Sequence, residues 1–219
     1  MERDRNVIDM SAFMSDHRHP SIREVEGYWQ ALRAGRLVPR RSEIDPRGIE
    51  RSLEYAFILE RIAPGIARLR IAGSHLSDLM GMEVRGMPIS SFFTPAARNL
   101  ASDVLEQVFD GPATAELSLS AERGVGKPAI DARMILLPMK SDLGDISRAL
   151  GCLSTRGAIG RAPRRFVVEQ SEVRPLIGAA VEPRVEALRV SDLAEDAARF
   201  EPAAPAAHPH LRLVHRSED

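Results

Sequence analysis

The chain has 219 residues, 30 Lys+Arg against 31 Asp+Glu, 44% apolar residues and 28% charged ones. That balance suits one globular domain with extensions and excludes a bulk attraction for nucleic acid or anionic lipid. A lone cysteine, Cys152, excludes an intramolecular disulfide framework and a Cys-rich zinc site. Neither a signal-peptide apolar core nor a run near the roughly 18 apolar residues of a membrane span occurs, so a cytoplasmic protein is expected.

Residues 1–20 are polar and read as a flexible arm that holds His17 and His19. Ser21 as N-cap, Glu24 as its capping-box partner, and Val25, Tyr28, Trp29 and Leu32 at helical spacing predict a helix over 21–34, stopped by Gly35. Asp45-Pro46 sets a cap before a first-turn proline and predicts a short helix through Arg51. Tyr55 to Ile62 is an apolar run of strand length ended by Pro64-Gly65. In Ile66–Ile71, Ala67, Leu69 and Ile71 alternate with Arg68 and Arg70, which completes a hairpin. The chain then breaks through Ala72-Gly73 and a capping Ser74 into a short helix with Leu76, Leu79 and Met80 on one side, ended by Gly81.

Met87 to Phe93 reads as a short irregular piece. Thr94-Pro95 opens the longest predicted helix, with a stripe of Ala97, Leu100, Ala101, Val104, Leu105 and Val108, and Gly111-Pro112 ends it. The period then falls to two. Ala115, Leu117, Leu119 and Ala121 alternate with Glu116, Ser118 and Ser120, and two further strand-length segments, Ala129–Met139 and Ala149–Thr155, follow after short loops. The expected fold is α+β over 21–158: a five-stranded antiparallel sheet, helices on one face, the other face open or meeting a partner, and an N-terminal flanking helix. Residues 159–219 read as an extension in which Phe166–Glu169 is a candidate extra strand and Val185–Phe200 a candidate amphipathic helix. The last ~20 residues, rich in Pro and Ala, are expected to be disordered.

This order of elements resembles a PAS domain. Tyr28-Trp29-Gln30-Ala31-Leu32-Arg33-Ala34-Gly35-Arg36-Leu37-Val38-Pro39-Arg40-Arg41 with Ile44-Asp45-Pro46 resembles the opening of the alphaproteobacterial single-PAS family, a PAS-like domain of unknown function. Arg70-Ile71-Ala72-Gly73, Leu79-Met80-Gly81, Arg85-Gly86, Leu136-Leu137-Pro138-Met139 and Ala149-Leu150-Gly151 continue the likeness, which spans roughly 22–157. The resemblance implies a PAS fold in a cytoplasmic regulatory protein, without an attached output domain. It implies no settled ligand and no catalytic residue.

PAS domains hold haem, flavin, a thioester chromophore, small metabolites or nothing. No His lies between Thr94 and Asp110 to ligate haem, and Cys152 falls in the last predicted strand, where it reads as a buried packing thiol. No cofactor, metal site or enzyme activity is therefore expected. His75 reads as a surface or capping residue. Gly124-Val125-Gly126-Lys127 lacks the Ser/Thr of a phosphate loop and reads as a hairpin loop. Arg36, Arg40 and Arg41 form a candidate anion site, against the plainer reading of a self-paired surface with Glu43 and Asp45.

Two functions follow. The first is a signalling module that acts by protein–protein contact, as a homodimer or with a partner protein, through exposed apolar residues Val25, Tyr28, Trp29 and Leu32 of the flanking helix. The second is a sensor whose pocket, lined by Phe57, Leu69, Leu76, Leu79, Met80, Phe92, Phe93, Leu105, Met134 and Cys152, takes an apolar or weakly polar metabolite. The plainer reading of those ten is core. An enzyme on this small scaffold is a remote third reading.

Overall fold

The structure, a computed structural model, describes residues 18–177. The expectations for 1–17 and 178–219 lie outside the described residues. They include His17, the candidate helix at 185–200 and the disordered end.

Helix α1 (Pro20–Arg33) starts two residues earlier than Ser21 as cap would place it. Pro20 takes the first helical position, where its fixed φ suits the turn and its missing N–H leaves nothing unpaired. His19 becomes the N-cap residue and Ser21 is buried inside the first turn. The helix ends as Ala34 turns left-handed (φ 46°), followed by Gly35 (φ 81°). Two 3-10 turns follow, Arg41–Glu43 and Pro46–Ser52, the second capped by the Asp45 carboxylate accepting from the Arg47 N–H at 3.0 Å.

Strands β1 (Ala56–Ala63), β2 (Ile66–Ala72), β3 (Ala113–Ala121), β4 (Asp131–Met139), β5 (Arg148–Arg156) and β6 (Phe166–Pro175) form one antiparallel sheet in the order β2-β1-β5-β4-β3-β6. The sheet therefore has six strands, not five. β6 pairs with β3 from Ala121↔Phe166 to Ala113↔Pro175, so the sheet closes beyond residue 158. The candidate strand Phe166–Glu169 is the start of β6; much of the strand is solvent-exposed, and only Phe166, Val168 and Val173 pack on the inner cluster.

The inner layer consists of α2 (Ser74–Met80), 3-10 turns Ile89–Phe92 and Pro95–Ala97, and α3 (Arg98–Asp110). Gly73 precedes α2 because the chain there touches the end of the preceding turn: a Cβ would sit 2.1 Å from the Glu54 carbonyl oxygen. Leu100 does not join the inner stripe of α3 but is 41% exposed, while Phe109 is buried.

The sheet separates two apolar clusters. The inner one holds Phe57 and Leu59 of β1, Leu69 of β2, Leu117 and Leu119 of β3, Met134 and Leu136 of β4, Leu153 of β5 and Phe166 of β6, against the inner helices. The outer one holds Ile58, Ile135, Leu137, Met139, Leu150 and Cys152 against Ile22, Val25 and Trp29 of α1. A bulge corrects the β2 reading: Ile58 pairs with Ile71 but Leu59 with Leu69, so Arg70 is extra and Ile71 swings to the outer side, 49% exposed.

Candidate functional site

Nine of the ten residues expected to line an interior site gather in one buried cluster. Phe57, Leu69, Leu76, Leu79, Met80, Phe92, Phe93, Leu105 and Met134 are all buried in the inner cluster. Leu76, Leu79 and Met80 reach it because α2 turns one face inward, and Phe92 and Phe93 follow from the irregular turn after it. Phe57 lies across Gly151 on the neighbouring strand, so closely that a Cβ there would stand 2.2 Å from the ring. Surface cavities of about 320 Å³ beside the end of α3 and about 730 Å³ beside the β3–β4 loop are lined by none of the ten predicted residues.

Cys152 is not in this interior. β5 turns its side chain to the outer cluster, where it is fully buried. Burial, with Glu24 nearby, pushes its thiol up to about 12, so it stays protonated and unreactive at neutral pH.

The outer face is not left open over β1, β5 and β4, because α1 lies on it. Val25 and Trp29 are fully buried and Tyr28 and Leu32 half-buried, which corrects the expectation that this helix exposes its apolar side. The indole N–H of Trp29 donates to the Pro138 carbonyl at 3.0 Å. Tyr28 accepts from the Asp45 N–H at 2.7 Å and donates to the Asp45 carbonyl at 3.0 Å, tying the helix to the turn that follows. His19 belongs to this anchor rather than to a loose arm. It is buried, with Nδ1 3.1 Å from Ser154 Oγ and Nε2 3.8 Å from the Asp131 carboxylate. Burial lowers its pKa, opposed by Asp131.

Of the three predicted anion-site arginines, Arg36 is already taken up by a carboxylate. Arg36 makes a two-pronged pair with Glu43 at 2.9 and 3.1 Å and also donates to the Leu32 carbonyl. The Arg40 N–H donates to the same Glu43 carboxylate at 2.7 Å, and the Arg41 N–H goes to the Lys140 carbonyl. Arg36, then Arg40, hold the Glu43 carboxyl below its ordinary range. The basic run thus staples the post-helix loop to itself and to the end of β4. His75 Nε2 lies 2.9 Å from Thr155 Oγ1, and its ring meets Tyr55 edge-on at 4.8 Å. Burial lowers its pKa. Among the described residues no cluster of three His, Cys, Asp or Glu stands ready for a metal ion, and no helix is long and apolar enough to cross a membrane.

A six-stranded antiparallel sheet with short helices and one longer helix on its inner face is a PAS-like arrangement, and the PAS domain family matches residues 17–154. The chain belongs to the PAS domain family. Such domains are generally sensory or signalling modules. No curated protein matches the chain.

Among solved structures, the PAS domain is similar to the light-state structure of the blue-light photoreceptor Aureochrome1 LOV, with 14% identity over 51% of this chain and 88% of that one and a TM-score of 0.36. The dark structure of the same photoreceptor matches at 15% identity over 50% and 80%, TM-score 0.37. A light-oxygen-voltage domain studied with a flavin analogue matches at 16% identity over 51% and 83%, TM-score 0.36. Likeness at this level carries no ligand over to this PAS domain.

Two charged features of the PAS domain escaped sequence reasoning. Glu60, on β1, takes Arg68 at 2.8 Å and Arg70 at 2.9 Å from β2 and a short contact from Arg148 on β5. Arg70 first, then Arg148 and Arg68, hold its carboxyl down at about 2. The signal was available: a glutamate inside an apolar strand run, across a short hairpin from Arg-x-Arg. Arg164 is the other. It has no exposed surface and donates to the Ile159, Glu122 and Pro128 carbonyls. Nothing local in Arg161–Arg165 marks which arginine goes inside.

Proposed function

We propose that this PAS domain protein is a cytoplasmic bacterial regulatory module of the alphaproteobacterial single-PAS group. It passes its signal by contact with a second copy or a partner protein rather than by chemistry of its own. The observation that supports this reading is the docking of α1 on the outer face of the sheet. β4 alternates Met134 and Leu136 toward the interior with Ile135 and Leu137 toward α1, and β5 sets Leu153 against Cys152 in the same way. One strand layer therefore lies between the interior and the helix, and repacking on one side is felt on the other because cores are close-packed.

The solvent side of α1, with Gly27 and Ala31 exposed, is the surface a partner would read, and open space surrounds Gly27. The double substitution Gly27→Arg, Ala31→Glu alters that surface without touching Val25 or Trp29. The expected result is loss of the dimer mass, or of the partner captured from the native host, at an unchanged urea midpoint. If solution mass and captured partner both stay the same, the helix is not the contact and this reading falls.

A further inference from the structure

The β3–β4 loop and the segment leading into β6 border a surface cavity of about 730 Å³. Arg123 and Lys127 line it from the loop and Arg161 from the segment, and Glu122 is the sole carboxylate in the lining. The geometry of this rim is fixed by the backbone. Gly124 and Lys127 exchange N–H to carbonyl bonds at 3.3 and 2.9 Å around a turn in which Gly126 has φ 72°. The Arg161 N–H donates to the Gly126 carbonyl at 2.7 Å, which holds the two sides of the cavity together. Gly160 permits that approach, since a Cβ there would sit 2.5 Å from the same oxygen.

The charge around this cavity is unbalanced. Elsewhere the fold pairs Arg36, Arg61, Arg68, Arg133, Arg148 and Arg174 with carboxylates. Among the described residues, Arg123, Lys127 and Arg161 have no ion pair. Directly behind the rim, Arg164 is fully covered, and its three acceptors are all neutral carbonyls, two of them, Glu122 and Pro128, at the two ends of the loop. Its Nε, and that of Arg165, are buried with no hydrogen-bond partner among the described residues. A covered cation without a counter-charge is costly, and an anion held nearby offsets that cost.

We infer that this cavity binds a small phosphorylated metabolite carrying at least two negative charges, with the phosphate groups between Arg123, Lys127 and Arg161. Arg supplies forked donors and Lys a point charge, the combination that phosphate oxygens accept. A long polyanion fits less well, because the whole chain has a net charge of -1 and the cavity lining contains no aromatic side chain for bases to stack on.

Isothermal titration calorimetry of the full chain with pyrophosphate and with ADP, at low and moderate salt, tests this. Saturable binding of at least one probe is expected, weakened about tenfold or more by Lys127→Ala with Arg161→Ala, in line with loss of charge-assisted contacts. A control pair, Arg85→Ala with Arg98→Ala, removes two exposed arginines that do not line the cavity and should leave affinity within about twofold. Tighter binding of ADP assigns the nucleoside to the cavity as well; equal binding assigns the phosphates alone. Absence of saturable heat with both probes overturns the inference. So does equal weakening in the control pair, which would mean diffuse charge attraction, and so does binding of anionic vesicles or acidic peptides in place of both probes. Thermal midpoints of both variant pairs without ligand separate loss of the site from loss of the fold.

Discussion

Trp29 donates its indole N–H to the carbonyl of Pro138, joining the middle of α1 to the last residues of β4. The bond exists because Pro138 lies two residues past the final β3 partner of β4, Leu136↔Ala115, where the strand has a bare edge and its missing N–H is not needed. Pro39 and Arg41 then join β4 at Lys140. Trp29→Phe should cost about 1–2 kcal/mol, because the carbonyl loses its partner while most of the packing survives. Trp29→Ala should cost about 3–5 kcal/mol. Urea unfolding measures both, and hydrogen exchange over 20–33 should show the helix opening before the sheet. A Trp29→Phe variant as stable as the parent, with unchanged exchange, would remove the bond from the account of how α1 is held.

Phe57 and Gly151 face each other across β1 and β5, and the ring occupies the space a Cβ would need. Gly151→Ala should therefore destabilise by about 1–3 kcal/mol, through displacement of the ring rather than through backbone strain. Phe57→Leu costs stability alone but should recover part of the Gly151→Ala loss when the two are combined. The coupling in the double-mutant cycle is the readout, and additive costs would contradict the close contact.

How much of this was legible from residues alone depended on whether the signal was local. Leu117 and Leu119 alternating with Glu116 and Ser118 placed β3 and its inner face correctly, because period-two burial is written within the strand itself. The bulge at Arg70 was not legible: Arg68-Leu69-Arg70-Ile71 alternates cleanly, and the extra residue is set by β1 across the hairpin. The apolar run Tyr55–Ile62 is buried on both faces over its first half, which the expectation of an open or partner-covered outer face did not draw from it; the second cover is this chain's own α1. Nine of the ten proposed interior residues gather on one side of the sheet, and Cys152 does not, because strand parity near Gly151 turns it outward. The start of β6 was legible as the candidate strand Phe166–Glu169, but its run to Pro175 is set by the edge of β3, and the covered Arg164 depends on carbonyls of Ile159, Glu122 and Pro128, two of them far along the chain.

Cys152 should behave as a masked thiol. With its pKa pushed up to about 12 and no exposed surface, native protein should resist alkylation by iodoacetamide at pH 8 and react only as fast as the α1–sheet layer opens. Trp29→Ala should raise that rate, since Cys152 and Trp29 share the outer cluster. Stoichiometric labelling of the native chain within minutes, at the rate of a free thiol, would contradict this placement.

Glu60 carries the pH prediction. Its folded pKa of about 2 lies below the ordinary 4.5 of a glutamate, with Arg70 the largest cause, and its side chain is only 12% exposed. A depressed carboxylate contributes stability that is present above its unfolded pKa and lost as pH falls through the folded one. The contribution is therefore complete above about pH 5 and disappears between there and about pH 2. Solvent around the three arginines screens the pairing, so the amount is on the order of 2 kcal/mol rather than the full linkage value. Glu60→Gln should be less stable than the parent at pH 7 by that amount, and the two unfolding curves should converge near pH 2–3. Parallel pH profiles for parent and variant across that interval would mean that the arginines do not stabilise the charged form.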